Sequence, residues 1–266
     1  MYCAAQAINP RNEKHVLLIG NSLTYFHDMP QTLQKMVLET NPEIKIEQST
    51  FPGMSLNAHL SDIITSTTDN EINTRKKKND ELTETEKKLA HRKWDMIVLQ
   101  TGTVGVLIPE NREYKVSKAI SEIKTMVNNP NCKFILFSTW PSLDKYPKQY
   151  CYPAAIIEKT LPKSEYCSPV MTNISQEVNE INKSYEALAK GNDLIQSSNG
   201  TKFYEVITRH PEINLYDDES HPSKYGSFLN ACIFYRMLTG KKASELLYNG
   251  DIEAEKAKIL KSIADE

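Results

Sequence analysis

Apolar residues fall into short runs separated by turn-forming and charged stretches, and the runs follow two periods. Val16–Ile19 is a continuous apolar run, too short for a helix and suited to a strand buried on both faces. It breaks at Gly20, and an amphipathic segment begins beyond Asp28 and Pro30, which read as an N-cap and an early-turn proline. A helix is expected over about Met29–Glu39. Ile44–Thr50 alternates in period two and predicts a second strand, ending in Phe51-Pro-Gly-Met-Ser55 with Ser55 as cap of a further helix. Asp95–Gln100 and Cys132–Ser138 read as the third and fourth strands, and Asp193–Ile195 as a short fifth.

Helical patterns lie between them, over Glu113–Asn128, Ile174–Lys190 and Phe203–Arg209. A long helix runs through Leu238 with Pro222 among its first residues, and two closing helices are expected near Ala243–Tyr248 and Ile252–Ala264. Five βα units in one order, with no repeat and no linker, predict a single three-layer α/β domain over residues 14–266 with a mostly parallel five-stranded sheet. Ser142–Met171 interrupts this order. It is rich in Pro and Tyr and stands at the ligand end of the sheet, as an active-site wall or lid would. Its rings either stack on a sugar or pack a small core of their own.

Composition narrows the class. With 266 residues, 39% hydrophobic and 25% charged, the chain can bury a substantial core. A net charge of −2 gives no global reason to expect nucleic acid or an anionic membrane as partner, and no apolar run approaches the ~20 residues of a membrane span. The basic run Arg75–Lys78 lies inside the densely charged stretch Asp69–Lys93, without interleaved aromatic residues. It predicts a solvated helix, not a nucleic-acid site. Ala5-Gln6-Ala7 has the small-x-small form of a signal cleavage site but lacks the apolar region that should precede it. A trimmed export signal and an alanine-rich start both fit, so export and a cytoplasmic location stay open. Cys132 and Cys232 lie in apolar stretches and are expected in the core, whereas Cys151 and Cys167 flank one loop-like segment and can pair in an exported protein.

The candidate chemistry gathers at the carboxyl ends of the strands, where open α/β sheets bind ligands. Gly20-Asn-Ser22 forms a tight strand-to-helix turn, and Gly53 falls at the same end of the sheet. Gly53 is either a plain turn residue or a bare backbone N–H for an oxyanion. Gln100, Thr101 and Thr103 follow the third strand there, as oxyanion donors or as satisfied loop polars. Asp218 and His221 are two residues apart in a turn leading into a helix, so one carboxylate can orient the imidazole while the other ring nitrogen faces a hydroxyl. No nucleotide-binding glycine loop and no zinc-type His pair is present, and neither cofactor nor metal is expected.

Gly20-Asn21-Ser22-Leu23, Phe51-Pro52-Gly53 and Asp218-Glu-Ser-His221-Pro222 together resemble the first, second and last sequence blocks of the SGNH (GDSL-type) hydrolases. The blocks come in the family's order, over about residues 14–240. The resemblance implies a flavodoxin-like three-layer sandwich with Ser22 as nucleophile, His221 as base and Asp218 as its partner. It also implies an oxyanion hole from the Ser22 and Gly53 N–H groups. One block departs: Gln100-Thr-Gly-Thr103 stands where the family carries Gly-x-Asn-Asp. Gln100, with Thr103 behind it, is the candidate for the third oxyanion donor, on the analogy of carbohydrate-esterase branches. Asn21, His27, Trp140 and Tyr146 are candidates to line the substrate site. A metal-independent serine esterase acting on a small acyl group of a carbohydrate, most plausibly acetyl, is the expectation. Lipases, thioesterases and a non-catalytic glycan- or ester-binding protein of the same fold are the competing readings.

Overall fold

The computed structural model describes residues 13–61, 63–68 and 71–266. The Ala-Gln-Ala tripeptide and Cys3 lie outside the described residues. Strands β1 (Lys14–Gly20) and β2 (Ile44–Thr50) are followed by a hairpin, β3 (Ile63–Thr68) and β4 (Glu71–Lys76), then by β5 (Met96–Leu99) and β6 (Lys133–Leu136). A small second hairpin, β7 (Cys151–Pro153) and β8 (Glu165–Cys167), precedes the last strand, β9 (Ile195–Gln196). The central sheet has the order β2-β1-β5-β6-β9 and is parallel throughout.

β1 explains why the sheet has two covered faces. Its residues Val16 to Gly20 are all buried. Val16 and Leu18 pack into a core with the helices Met29–Thr40, Lys224–Thr239 and Ala254–Asp265. Leu17 and Ile19 point the other way, to Leu89, Trp94, Ile120, Ile123 and Tyr185. Successive side chains on opposite faces thus feed two separate cores, which is why the run is apolar without alternation. All five strands end at the edge where Gly20, Thr50 and Leu99 lead into loops, and those loops carry the candidate site.

Several expected elements differ. The charged stretch is not one helix: Arg75 and Lys76 close β4, paired antiparallel with β3, and only Glu84–His91 is helical, behind a Thr83–Glu86 capping box. The β-branched residues Ile63, Ile64, Thr65, Thr67 and Thr68 favour the strand that pairs there. The helix expected from Glu113 begins at Pro109 and passes through a π-turn, Arg112–Ser117, before the regular helix Lys118–Met126. Pro222 lies outside its helix, which Ser223 caps by accepting from the Tyr225 and Gly226 N–H groups. Asp28 stands at its N-cap with left-handed backbone (φ 51°) and no side-chain capping bond, and Ser55 heads only a short 3-10 turn. Ala243–Glu245 is a single 3-10 turn, not a helix. Cys232 is buried as expected, whereas Cys132 is only half-buried.

Candidate active site

The turn after β1 is held from three sides. The Gly20 carbonyl accepts from His59 Nε2 at 3.0 Å and from the Phe51 N–H at 3.2 Å. The N–H of the same peptide unit, on Asn21, donates to Gln100 Oε1 at 2.8 Å. Both polar ends of one buried peptide are therefore fixed by side chains from other loops, which sets the direction in which the chain leaves the strand. A side chain at position 20 would put its Cβ 2.5 Å from Gln100 Oε1, so only glycine fits. Asn21 then caps the short helical turn Ser22–Tyr25, accepting from the Leu23 N–H at 3.1 Å while its amide donates to Met54 O at 3.1 Å.

Ser22 comes out of this turn with its Oγ 2.8 Å from His221 Nε2. The other ring nitrogen, Nδ1, lies 2.6 Å from Asp218 Oδ2. Asp218 Oδ1 accepts from the backbone N–H groups of Ser220 (2.8 Å) and His221 (2.7 Å). The His221 and Ser220 N–H groups, with the imidazole, hold the Asp218 carboxyl down at about 2, so it is ionised at neutral pH. The carboxylate thereby makes Nδ1 the protonated nitrogen and leaves Nε2 as acceptor for the serine proton. Phe26 lies flat on the imidazole, ring centroids 4.3 Å apart at 11°. Nothing in the sequence singled Phe26 out beyond its place four residues after Ser22.

Ser22 and His221 open into a cavity of about 410 Å³, walled by Trp140, Tyr150 and Tyr152 with Ser142, Asp144 and Glu177. Trp140 is fixed from behind, stacked on Phe203 at 4.0 Å and donating from Nε1 to Ser220 O at 3.0 Å. Glu177 is buried, with Oε2 receiving Lys148 Nζ at 2.7 Å and the Tyr146 hydroxyl at 2.6 Å. Ser142 Oγ donates to Asp144 Oδ2 at 2.6 Å, the main reason that carboxyl sits below its ordinary range. The insertion forming this wall is clipped by a Cys151–Cys167 disulfide, with Cys151 between Tyr150 and Tyr152.

Three sequence expectations, those for Gln100, His27 and Tyr146, need correction. Gln100 does not line the cavity; it is fully buried under the turn, and the oxygen end of its amide is committed to the Asn21 N–H and the Thr24 hydroxyl. Two donors converging on that atom require it to be the oxygen, so Gln100 holds the turn and does not face an oxyanion. Thr103 does line the cavity, but its hydroxyl is paired with that of Thr139 at 2.8 Å. His27 turns away to Asp217 Oδ2, 2.5 Å distant, and is absent from the wall. Tyr146 stands behind Glu177 with its hydroxyl spent on that carboxylate. Asn21 and Trp140 line the cavity, and Gly53 (φ +63°) lines an adjoining lobe. Glu177 escaped notice, although its place on the helix stripe of Val178, Ile181, Tyr185 and Leu188 marks a charge among buried positions.

No family model matches the chain, and no curated protein matches it by sequence. Solved structures do. A DUF4886 family protein from Bacteroides uniformis superposes with a TM-score of 0.68 at 17% identity, over 95% of this chain and 93% of its own. A protein inferred to be an SGNH hydrolase, from Slackia heliotrinireducens, gives 0.57 at 18% identity over 85% of this chain and 100% of that one. A variant of an acetyl xylan esterase from Geobacillus stearothermophilus gives 0.50 at 14% identity, over 85% and 94% of the two chains. The chain has the three-layer α/β fold of the SGNH hydrolases. Among the described residues no helix is long and apolar enough to cross a membrane.

Proposed function

We propose that the protein is a serine esterase that removes a small acyl group, acetyl in the first instance, from a hydroxyl of a carbohydrate. The observation that carries this reading is the continuous chain from Ser22 Oγ through the His221 ring to Asp218, with links of 2.8 and 2.6 Å. In it, His221 takes the Ser22 proton as Oγ attacks the ester carbonyl, and returns that proton to the leaving alcohol. Water, activated by the same imidazole, then releases the acid. The Ser22 and Gly53 N–H groups stabilise the oxyanion. The Ser22 N–H opens a helical turn and so has no acceptor within it. No cofactor enters the scheme, and nucleic acid has no part in it.

The wall supports a polyhydroxylated alcohol. Trp140, Tyr150 and Tyr152 offer faces for a sugar ring, and the Asp144 carboxylate offers an acceptor for its hydroxyls. The acetyl xylan esterase among the structural neighbours is a second support. The Cys151–Cys167 bridge favours an exported protein, since disulfides persist in oxidising compartments.

Hydrolysis of a p-nitrophenyl ester series by the wild type and by Ser22→Ala tests the reading. Turnover that falls as the acyl chain lengthens, and that is abolished by the substitution, is the expected result. Folded wild-type protein that turns over no ester while still binding glycans would favour the non-catalytic alternative.

A further inference from the structure

The cleft does not end at the nucleophile. Across a saddle formed by Asn21, Gly102, Gly105 and Tyr152 it continues into a second lobe of about 220 Å³. A Cβ at Gly102 would meet nothing within 4 Å, so the two lobes communicate over bare backbone. Their polarity differs. The first lobe is lined by the carboxylates Asp144 and Glu177, the latter paired with the buried Lys148, and by no lysine or arginine. The second is lined by Lys115, Asn57 and Asn111 and by no acid.

Lys115 reaches this lobe from the π-turn Arg112–Ser117, which places it on the wall while its neighbour Val116 enters the core. π-turns inside helices recur at functional positions, because the extra residue redirects side chains locally. Among the described residues, no carboxylate lies within 4.0 Å of Lys115 Nζ and no acceptor is bonded to it, although it stands on the wall of a cavity. Asn57 Oδ1 is taken by the Ser55 hydroxyl at 2.9 Å, which leaves the amide nitrogen as the free end. Asn111 spends its amide nitrogen on Gly105 O at 2.6 Å, so the lobe's free donors are Lys115 Nζ and the Asn57 amide, with no carboxylate on the wall.

We propose that this second lobe is a carboxylate-binding subsite with Lys115 as its cation, so that preferred ligands carry an acid group on the side of Gly53. The inference rests on the esterase reading for its substrate chemistry. In that chemistry the leaving oxygen must lie against His221 Nε2, which lines only the first lobe, while Gly53 lines only the second. The leaving oxygen then faces the first lobe and the carbonyl oxygen the Gly53 N–H, and the second lobe is open to the acyl substituent or to a neighbouring sugar unit that crosses the saddle. A half-ester of a short dicarboxylic acid supplies the carboxylate from the acyl side, and an adjoining uronic acid supplies it from the sugar side. For the half-ester, Ser22 Oγ bonds the ester carbonyl carbon, and the alkoxide departs with the proton His221 took from the serine. Water then cleaves the acyl-enzyme to the dicarboxylic acid and free Ser22.

Binding to folded Ser22→Ala protein, measured by calorimetry, tests the subsite without relying on turnover. The probes are monomethyl succinate, its neutral counterpart methyl butyrate, and the neutral and acidic pair methyl glucoside and methyl glucuronide. At least one acidic probe is expected to bind about tenfold more tightly than its neutral partner, the size expected of a charge-assisted contact. Lys115→Gln should remove that preference and Lys115→Arg should retain it, with thermal unfolding confirming that each variant folds. A preference in the succinate pair places the acid on the acyl group, and one in the glucuronide pair places it on the sugar. Equal binding within both pairs, or a preference that survives Lys115→Gln, overturns the proposal. A Lys115-dependent preference in a protein whose wild type hydrolyses no ester would leave the subsite standing and remove only the esterase reading.

Discussion

The two halves of the proposed triad are held in different ways. On the serine side, the Gly20–Asn21 peptide is gripped by His59 and Gln100, both fully or almost fully buried, and Asn21 spends its own amide on two further bonds. On the base side, the turn of residues 217–221 lies near the surface, and the Asp218 side chain is 54% exposed. The turn is pinned by Leu143 N–H on Glu219 O at 2.7 Å, Asp217 N–H on His221 O at 3.0 Å and Trp140 Nε1 on Ser220 O, and the imidazole within it is oriented by the Asp218 carboxylate, which also accepts from two backbone N–H groups. Buried side chains fix the turn that carries Ser22, whereas on the other side the backbone turn is held by its neighbours and an exposed carboxylate orients the imidazole alone. Loss of a support on the first side should therefore cost stability and rate together, and on the second side rate alone.

The sharpest separation is expected at Asp218. Replacement by Asn keeps the shape of the turn but permits the wrong imidazole tautomer, and should lower kcat by about 10³–10⁴. Its melting temperature should stay close to that of the wild type. A matching loss of stability, seen by thermal denaturation, would show that the carboxylate also holds the turn.

Gln100→Leu and His59→Leu should behave differently. Gln100→Leu leaves the Asn21 N–H without its partner, at a cost of about 1–3 kcal/mol in denaturant unfolding, and His59→Leu leaves the Gly20 carbonyl with the Phe51 N–H as its remaining donor, at a smaller cost. We expect kcat to fall about 10–100-fold with KM little changed, because the nucleophile is misdirected and the cavity wall is untouched. A normal kcat in either variant would mean that the remaining supports hold the peptide without it.

Acid provides a milder way to break the same comparison. Burial depresses His59 to about 4, so its neutral form belongs to the folded state. Its contribution is complete above the unfolded value of about 6.5 and is lost as pH falls toward 4, on the order of 3 kcal/mol in all. Asp218, held at about 2, stays ionised across that window. Urea unfolding at pH 7 and pH 4.5 should show the loss in the wild type and much less of it in His59→Gln. An equal loss in both would assign the acid sensitivity elsewhere.

The smallest effect belongs to the wall. Removing the disulfide with the double change Cys151→Ser and Cys167→Ser frees the segment carrying Tyr150 and Tyr152. KM for sugar esters should rise a few-fold while kcat for p-nitrophenyl acetate holds. A fall in kcat instead would place the wall in the chemistry.

What the sequence made legible follows the same division. β1 and β2 were readable because an apolar run and a clean alternation each have one structural solution, and β2 spans Ile44–Thr50 as read. Ser22, Asp218 and His221 stood out because their chemistry is carried by residue type and local spacing. Gln100 was visible as an amide near the site, but the direction of its oxygen depends on where the Asn21 N–H points, which is a tertiary fact. The hairpin of β3 and β4 was hidden because the charges around Arg75–Lys78 outweighed the β-branched residues before them. The π-turn that presents Lys115 leaves no mark on periodicity at all.

The most direct measurement is to treat the wild type with a fluorophosphonate and map the adduct by peptide mass spectrometry. The account predicts one stoichiometric adduct on Ser22, absent in Ser22→Ala and strongly slowed in Asp218→Asn. An adduct on another residue, or none on folded protein, would contradict the claim that Ser22 is a nucleophile activated by His221.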